Sequence, residues 1–291
     1  MRKIYNKLII NHNEYRHIYT CGDIHGMFHL LEKELIEINF DKSQDLLIAC
    51  GDLIDRGMYS NQAIEYLQQD WFKSVCGNHD FRFMNIPNED YSILFPAEEL
   101  FIKEMPYSLK TEFYDIFPKK LYICAEVCLQ EEKIGIVHAE SKEDWNTFTT
   151  DLIKADIESL ETALWGRNFA NIIKMKNHLL NLDYVTYYKM ILRMDYNNLF
   201  EEYFLSGLDK LKTNIFDKES EFIVKNIDTV FHGHTIIDSL SNIHSYANRK
   251  YIDTGAFLSE PFQYIDHDTN QKIRYDVNPN TKYSLSIIKI K

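Results

Sequence analysis

The chain has no run of apolar residues approaching the roughly 20 that a membrane-spanning helix needs. Its first ten residues include basic side chains but only a three-residue apolar run, too short for a secretory signal core, so the cytoplasm is the expected compartment. Positive charge is also scarce. Lys and Arg number 32 against 44 Asp and Glu, a net charge of −12, which argues against a general nucleic-acid-binding surface because such surfaces need a basic face. Single phosphates can still be held by local basic groups. The cysteines are few and odd in number, five in all. Cys21, Cys50 and Cys76 each close a short apolar run just before a glycine, a position that suits a buried thiol better than a disulfide. Cys124 and Cys128 lack the two-residue gap and the matching second pair of a zinc site. No repeat, low-complexity tract or flexible linker interrupts the sequence, so residues 1–291 are expected to form a single domain. Its 45% hydrophobic and 14% aromatic content supplies a sizeable core.

Three short motifs concentrate the chemistry: Gly22-Asp23-Ile24-His25-Gly26, Gly51-Asp52-Leu53-Ile54-Asp55-Arg56-Gly57 and Gly77-Asn78-His79-Asp80. They follow the apolar runs His17 to Cys21, Leu46 to Cys50 and Trp71 to Cys76, which have the length and β-branched or aromatic content of buried strands. Each motif is therefore expected at the carboxyl end of a strand, where α/β sheets present ligands. Between them, Phe28, Leu31, Leu35 and Ile38 fall at helical spacing, and Ile64, Tyr66 and Leu67 suggest a second helix. The first 80 residues thus read βαβαβ, which favours a mostly parallel sheet.

Residues 85–119 lack clean periodicity beyond a short helix near Ala97 to Glu104. Leu121 to Leu129 and Lys133 to Ala139 read as a hairpin around Gln130-Glu131-Glu132 that delivers His138 at its end. Residues 150–225 turn mainly helical, a cap or flank inserted in the domain. Strands return at Thr229 to His232, Ile243 to Ala247, Lys250 to Asp253 and Tyr283 to Ile290, with Asn248-Arg249 as a tight turn. The expected architecture is α/β, two sheets packed face to face with helices outside.

Asp23 and His25, one residue apart, point to one side of an extended segment and can reach one ion. Asp52, at the next strand end, can bridge two ions with its two oxygens. Asn78 offers a neutral carbonyl oxygen, and His138 and His234, also at strand ends, complete six candidate ligands. Carboxylate and amide oxygens mixed with imidazole suit Mn, Fe or Zn rather than calcium, and the set is too large for one tetrahedral ion. Taken alone, a Gly-Asp turn is more often a helix cap or an Asx-turn. Here Asp23, Asp52 and Asn78 recur at intervals of 29 and 26 residues, each after an apolar strand.

The constellation resembles the calcineurin-like metallophosphoesterases, within them the serine/threonine phosphoprotein phosphatase branch that includes small phage and bacterial enzymes. The three motifs carry the resemblance, extended by Val137-His138-Ala139, Leu164-Trp165-Gly166-Arg167, His232-Gly233-His234-Thr235 and Ile252-Asp253-Thr254-Gly255, from about residue 17 to 258. It implies that Asp23, His25 and Asp52 hold one metal and Asp52, Asn78, His138 and His234 the second. Two divalent ions, manganese first and Fe, Zn or Ni as further options, would activate a bridging water for direct attack on phosphorus, with no covalent phosphoenzyme. It also implies that His79 protonates the leaving oxygen, that Asp55 orients His79 and favours its protonated form, and that Arg56 and Arg167 bind the phosphoryl oxygens. His232 is expected to be structural or to support the ligands.

The resemblance implies a hydrolase acting on a phosphorylated protein or a small phosphoester, with phosphoserine, phosphothreonine or phosphotyrosine protein first. Asp80 departs from the glutamate usual in protein phosphatases of this branch. Aspartate is usual in relatives that split dinucleoside polyphosphates symmetrically and in the phosphatase part of bacterial RNA-repair enzymes, so those substrates remain alternatives. A catalytically silent scaffold binding a phosphorylated partner is a further one, opposed by the completeness of the site.

Overall fold

The computed structural model describes residues 4, 6–85, 105–171, 222–237, 243–265, 272–277 and 284–291. The expected strands form the centre of a five-stranded sheet. In it β2 (Ile18–Cys21), β3 (Leu46–Ala49), β4 (Phe72–Val75) and β5 (Leu121–Tyr122) run parallel in that order. The antiparallel strand β13 (Ile287–Lys289) closes the edge beside β2. A second sheet has the order β1 (Lys7–Asn11), β6 (Cys124–Cys128), β7 (Lys133–Val137), β8 (Thr229–His232), β10 (Arg249–Tyr251), β9 (His244–Tyr246). A separate hairpin pairs β11 (Phe262–Ile265) with β12 (Lys272–Tyr275).

Side-chain alternation explains why the sheets stack. Ile18, Leu46 and Ile48 face Val127, Ile136 and Phe231 of the other sheet in one buried cluster. Their neighbours Tyr19, Leu47 and Ala49 belong instead to the cluster shared with helices α1 (Phe28–Glu37), α2 (Ala63–Leu67) and α4 (Tyr107–Lys120). Helix α3 (Asn78–Met84) joins through Phe83, and α5 (Trp145–Ile153) and α6 (Ile157–Trp165) through Trp145, Phe148, Leu160 and Leu164. A strand buried on both faces shows no polar alternation, which is why β2 and β3 read as continuous apolar runs. No described helix is long and apolar enough to cross a membrane.

Several expectations change. The single strand Leu121 to Leu129 is two strands in two sheets. Leu121 and Tyr122 pair with β4, Ile123 donates its N–H to the Asn6 carbonyl at 3.0 Å, and Cys124 onward pairs with β1 and β7. Residue composition reports a strand but not its neighbour, so a crossing between sheets leaves no mark in the pattern. The tight turn is Ala247-Asn248, with Ala247 at φ 52°, and Arg249 already belongs to β10. Asn248 suits it because its amide donates to Val224 and Ile227 carbonyls and accepts from the Val224 N–H.

The sequence did not reveal β1, α3, the hairpin of β11 and β12, or α4, whose buried Lys110, Phe113 and Phe117 have helical spacing among many aromatics. The helix near residues 97–104 and residues 172–221 of the expected helical cap lie outside the described residues. Cys21, Cys50 and Cys76 are buried free thiols, as expected, and Cys124 and Cys128 are free thiols as well.

Candidate functional site

The motifs converge at the carboxyl ends of β2, β3, β4, β7 and β8. His25 (φ 45°), Asp52 (φ 48°), Asp55 (φ 77°), Arg56 (φ 69°) and His234 (φ 61°) all adopt left-handed backbone conformations. Such a conformation costs a non-glycine residue about 1–2 kcal/mol, so strain collects where the strands end and their side chains turn inward. Asp23 and His25 therefore meet by a tight turn, not along an extended segment. Glycine is required where a candidate ligand carboxylate packs directly against the backbone. A Cβ on Gly77 would stand 2.0 Å from Asp52 Oδ1, and one on Gly233 would stand 2.2 Å from Asp23 Oδ1.

All six candidate ligands come together. Donor atoms of His25, Asp52 and His79 lie within 4.8 Å of one another, as do those of Asp52, His138 and His234; Asp52 belongs to both groups and every member is buried. Asp23 stands beside both, its Oδ2 3.9 Å from His25 Nε2 and its Oδ1 3.8 Å from His138 Nδ1. Both Asp23 oxygens accept the His234 N–H, at 2.9 and 3.1 Å. Asn78 Oδ1 lies 3.0 Å from His138 Nε2, which is also 3.1 Å from His234 Nδ1.

Carbonyl oxygens set the tautomers of two imidazoles. His25 Nδ1 contacts the Ile54 carbonyl at 3.0 Å and His138 Nδ1 the Cys50 carbonyl at 2.8 Å. A carbonyl can only accept, so each Nδ1 carries the proton and each Nε2 turns a lone pair into the cluster. Burial pushes the His25 and His234 pKa values down, helped by Arg56 and His138 respectively, and pushes His138 down to about 4. The same burial, with Asp253 and Asp52 close by, holds the Asp23 carboxyl well above its usual range. The imidazoles are thus neutral while an acid resists ionising.

His79 Nδ1 meets Asp55 Oδ2 at 2.9 Å, and its backbone N–H donates to Asp52 Oδ1 at 3.0 Å. Its pKa is pushed below the usual imidazole range, first by burial and then by Arg56, opposite to the protonated form expected. Arg56 lies across the cluster, with Nη1 2.8 Å from His25 Nε2, Nη2 3.3 Å from His79 Nε2, and Cζ 4.3 Å from the centre of the Phe257 ring. A cation at His25 Nε2 would have to displace it. Arg167, just after α6, is solvent-exposed and close enough to the cluster for its charge to act on His138 and His234.

Two residues outside the expected set belong here. Asp253, from Ile252-Asp253-Thr254-Gly255, is buried beside Asp23. Asp80 is fully buried; its Oδ1 accepts the Leu53 N–H at 3.0 Å and its Oδ2 the Gly77 N–H at 2.9 Å. It ties the first turn of α3 to the Asp52 loop, with its carboxyl pushed up to about 7 by burial and by Asp52. His232, buried and stacked on Tyr251 with ring centres 4.9 Å apart, lies behind the cluster.

Comparison with known proteins agrees with this geometry. Over 254 residues the chain is 29% identical to serine/threonine-protein phosphatase 2 of Salmonella typhimurium, covering 86% of this chain and 92% of that relative. A symmetrical bis(5'-nucleosyl)-tetraphosphatase of Hamiltonella defensa is 29% identical over 140 residues, covering 40% of this chain and 51% of that protein. Among solved structures, a serine/threonine phosphatase of Saccharomyces cerevisiae shares the fold with a TM-score of 0.50 at 12% identity, covering 97% of this chain and 87% of that one. Residues 16–238 match the family profile of the calcineurin-like phosphoesterases, and with the three strand-end motifs gathered at one buried cluster, the chain belongs to that family.

Proposed function

We propose that this phosphoesterase hydrolyses phosphate monoesters with two divalent ions, and that its substrate is a protein phosphorylated on serine or threonine, with phosphotyrosine as a further option. The observation that carries the two-ion reading is the membership of Asp52 in both groups of donors. The donor chemistry fits. His138 Nε2 and Asn78 Oδ1 present lone pairs 3.0 Å apart, a repulsive pairing that a shared cation relieves, and the buried His234 Nε2 has no hydrogen-bond partner among the described residues. Asp23, His25 and Asp52 would hold one ion, and Asp52, Asn78, His138 and His234 the other. Mixed oxygen and imidazole donors suit Mn, with Fe, Zn or Ni as alternatives. When bound, the ions would supply Lewis acidity and bring the pKa of a water near neutrality.

His79 takes the acid role because Asp55 holds its Nδ1, which leaves Nε2 as the atom that hands a proton to the leaving oxygen. Its grouping with His25 and Asp52 would also allow it to ligate; the Asp55 contact favours the acid. Arg56 and Arg167 would grip the phosphoryl oxygens, and a phosphate dianion drawing Arg56 off the imidazoles would relieve the field that holds the His79 pKa down.

Protein substrates are favoured by the phosphatase relative aligned over most of both chains. Asp80 no longer argues for a dinucleotide, because it is buried and committed to two backbone N–H groups. The test strips the metals, restores Mn, and measures phosphate release from a phosphopeptide panel beside cleavage of diadenosine tetraphosphate. Faster phosphopeptide turnover is expected, and preferential dinucleotide cleavage would replace the protein substrate with a nucleotide.

A further inference from the structure

Behind the donor cluster, Glu140 and Arg249 form a buried pair, 2% and 0% exposed, that the proposed chemistry does not use. Glu140 Oε1 accepts the Ala170 N–H at 3.0 Å, and the Tyr251 hydroxyl donates toward both carboxylate oxygens at 3.0 Å. Arg249 Nη1 stands 3.5 Å from Glu140 Oε2 and donates to the Ser141 carbonyl and hydroxyl at 3.1 and 2.9 Å. Its Nε donates to the Phe222 carbonyl at 2.9 Å, and its Cζ sits 4.0 Å from the centre of the Phe169 ring.

These contacts surround Arg167. Residues 168–171 are helical, so the Ala170 N–H is one of the first-turn donors that no helix satisfies internally; Glu140 provides the acceptor from another element. Before Arg167, the backbone is pressed against the methylene stem of the same side chain. A Cβ on Gly166 would lie 2.6 Å from Glu140 Cβ and 2.9 Å from its Cγ, and the Glu140 N–H donates to the Thr162 carbonyl at 3.1 Å. The exposed Arg167 guanidinium makes no hydrogen bond of its own among the described residues, so its reach depends on where the backbone stands. A buried ion pair is a costly way to add stability, since well-packed apolar residues often serve as well or better. In this protein the pair's hydrogen bonds tie together Ala170, Ser141 and Phe222, backbone groups from separate segments.

We propose that Glu140, held by Arg249 and Tyr251, is a positioning residue that fixes the backbone on both sides of Arg167 and thereby sets where the guanidinium meets the substrate phosphate. The proposal rests on Arg167 as a phosphate binder. The test compares Glu140→Ala, Glu140→Gln, Arg167→Ala and the double variant Glu140→Ala/Arg167→Ala in the Mn-loaded enzyme, reading kcat and KM for p-nitrophenyl phosphate, inhibition by inorganic phosphate, and metal content. Arg167→Ala and Glu140→Ala should each raise KM and weaken phosphate inhibition, by about tenfold for a lost charge-assisted contact. Metal content should hold. Glu140→Gln keeps an acceptor for Ala170 and should recover most of the loss. The double variant should be no worse than Arg167→Ala, because one residue acts through the other.

Additive losses, or a lower kcat with KM unchanged, would overturn the proposal and leave Glu140 as structural. A Glu140→Ala enzyme like the wild type beside an impaired Arg167→Ala would sink the positioning role alone. An unimpaired Arg167→Ala would remove the phosphate role and the proposal with it. Should Glu140→Ala fail to fold, Tyr251→Phe decides the matter by the same KM comparison and the same coupling to Arg167→Ala.

Discussion

His79 and Asp80 are adjacent in sequence and differ entirely in consequence. His79 faces the cluster and leans on Asp55, so His79→Asn should retain both metals by elemental analysis while kcat falls by about 10²–10⁴-fold, the range for a lost general acid. The loss should be largest for substrates with poor leaving groups; full turnover on such a substrate would remove His79 from the acid role. Asp80 faces backbone. Asp80→Asn places an amide N–H₂ against a backbone N–H, which should cost about 1–3 kcal/mol in chemical denaturation. The ratio of phosphopeptide to dinucleotide turnover should stay unchanged, and a shifted ratio would restore Asp80 as a marker of substrate.

At the scale of elements, the strands carry the ligands and the helices press them into register. Gly135 lies in β7, three residues before His138, and a Cβ there would come within 2.6 Å of Trp145 Cη2, at the start of α5. Gly135→Ala should therefore lower stability by about 1–3 kcal/mol through overpacking, read as a fall in Tm. Metal content per folded molecule should be kept. Gly77→Ala should behave differently, because its Cβ would fall on Asp52 itself. Metal and activity should both be lost from protein that remains folded by circular dichroism, and retention of two ions would contradict the placement of Asp52 between the donor groups.

For the whole molecule, the cluster opposes folding until something neutralises it. Burial holds Asp23 and Asp80 above the usual carboxylate range, Asp80 at about 7. With its folded pKa above the unfolded one, Asp80 makes a contribution that is present below the unfolded value of 3.8 and is lost as pH rises through about 7, and Asp23, raised by the same cause, acts with the same sign. His138, pushed down to about 4, works oppositely, its contribution present above 6.5 and lost as pH falls through the folded value. Bound divalent ions favour ionised carboxylates and need neutral imidazoles. The gap in Tm between Mn-loaded and metal-stripped protein should accordingly widen between about pH 5 and about pH 8, with proton release on Mn titration. A gap independent of pH in calorimetry would mean that Asp23 does not bind as the ionised group.

The sequence by itself determined the strand-end motifs and the parallel core of the first sheet. Composition and period are local quantities, and β2, β3, β4 and α1 are built from nearly unbroken local signals. The candidate ligands were legible for the same reason, since each stands next to an apolar strand. Only the tertiary structure decided which sheet each strand joins, as the split at Ile123 shows, because pairing depends on neighbours far away in the chain. It likewise decided the environment of each charge. The field of Arg56 on His79, the burial of Asp80 and the Glu140–Arg249 pair arise from contacts between separated segments. Burial and charge proximity are properties of the packed chain, and they govern what an aspartate or a histidine does once the motif has placed it.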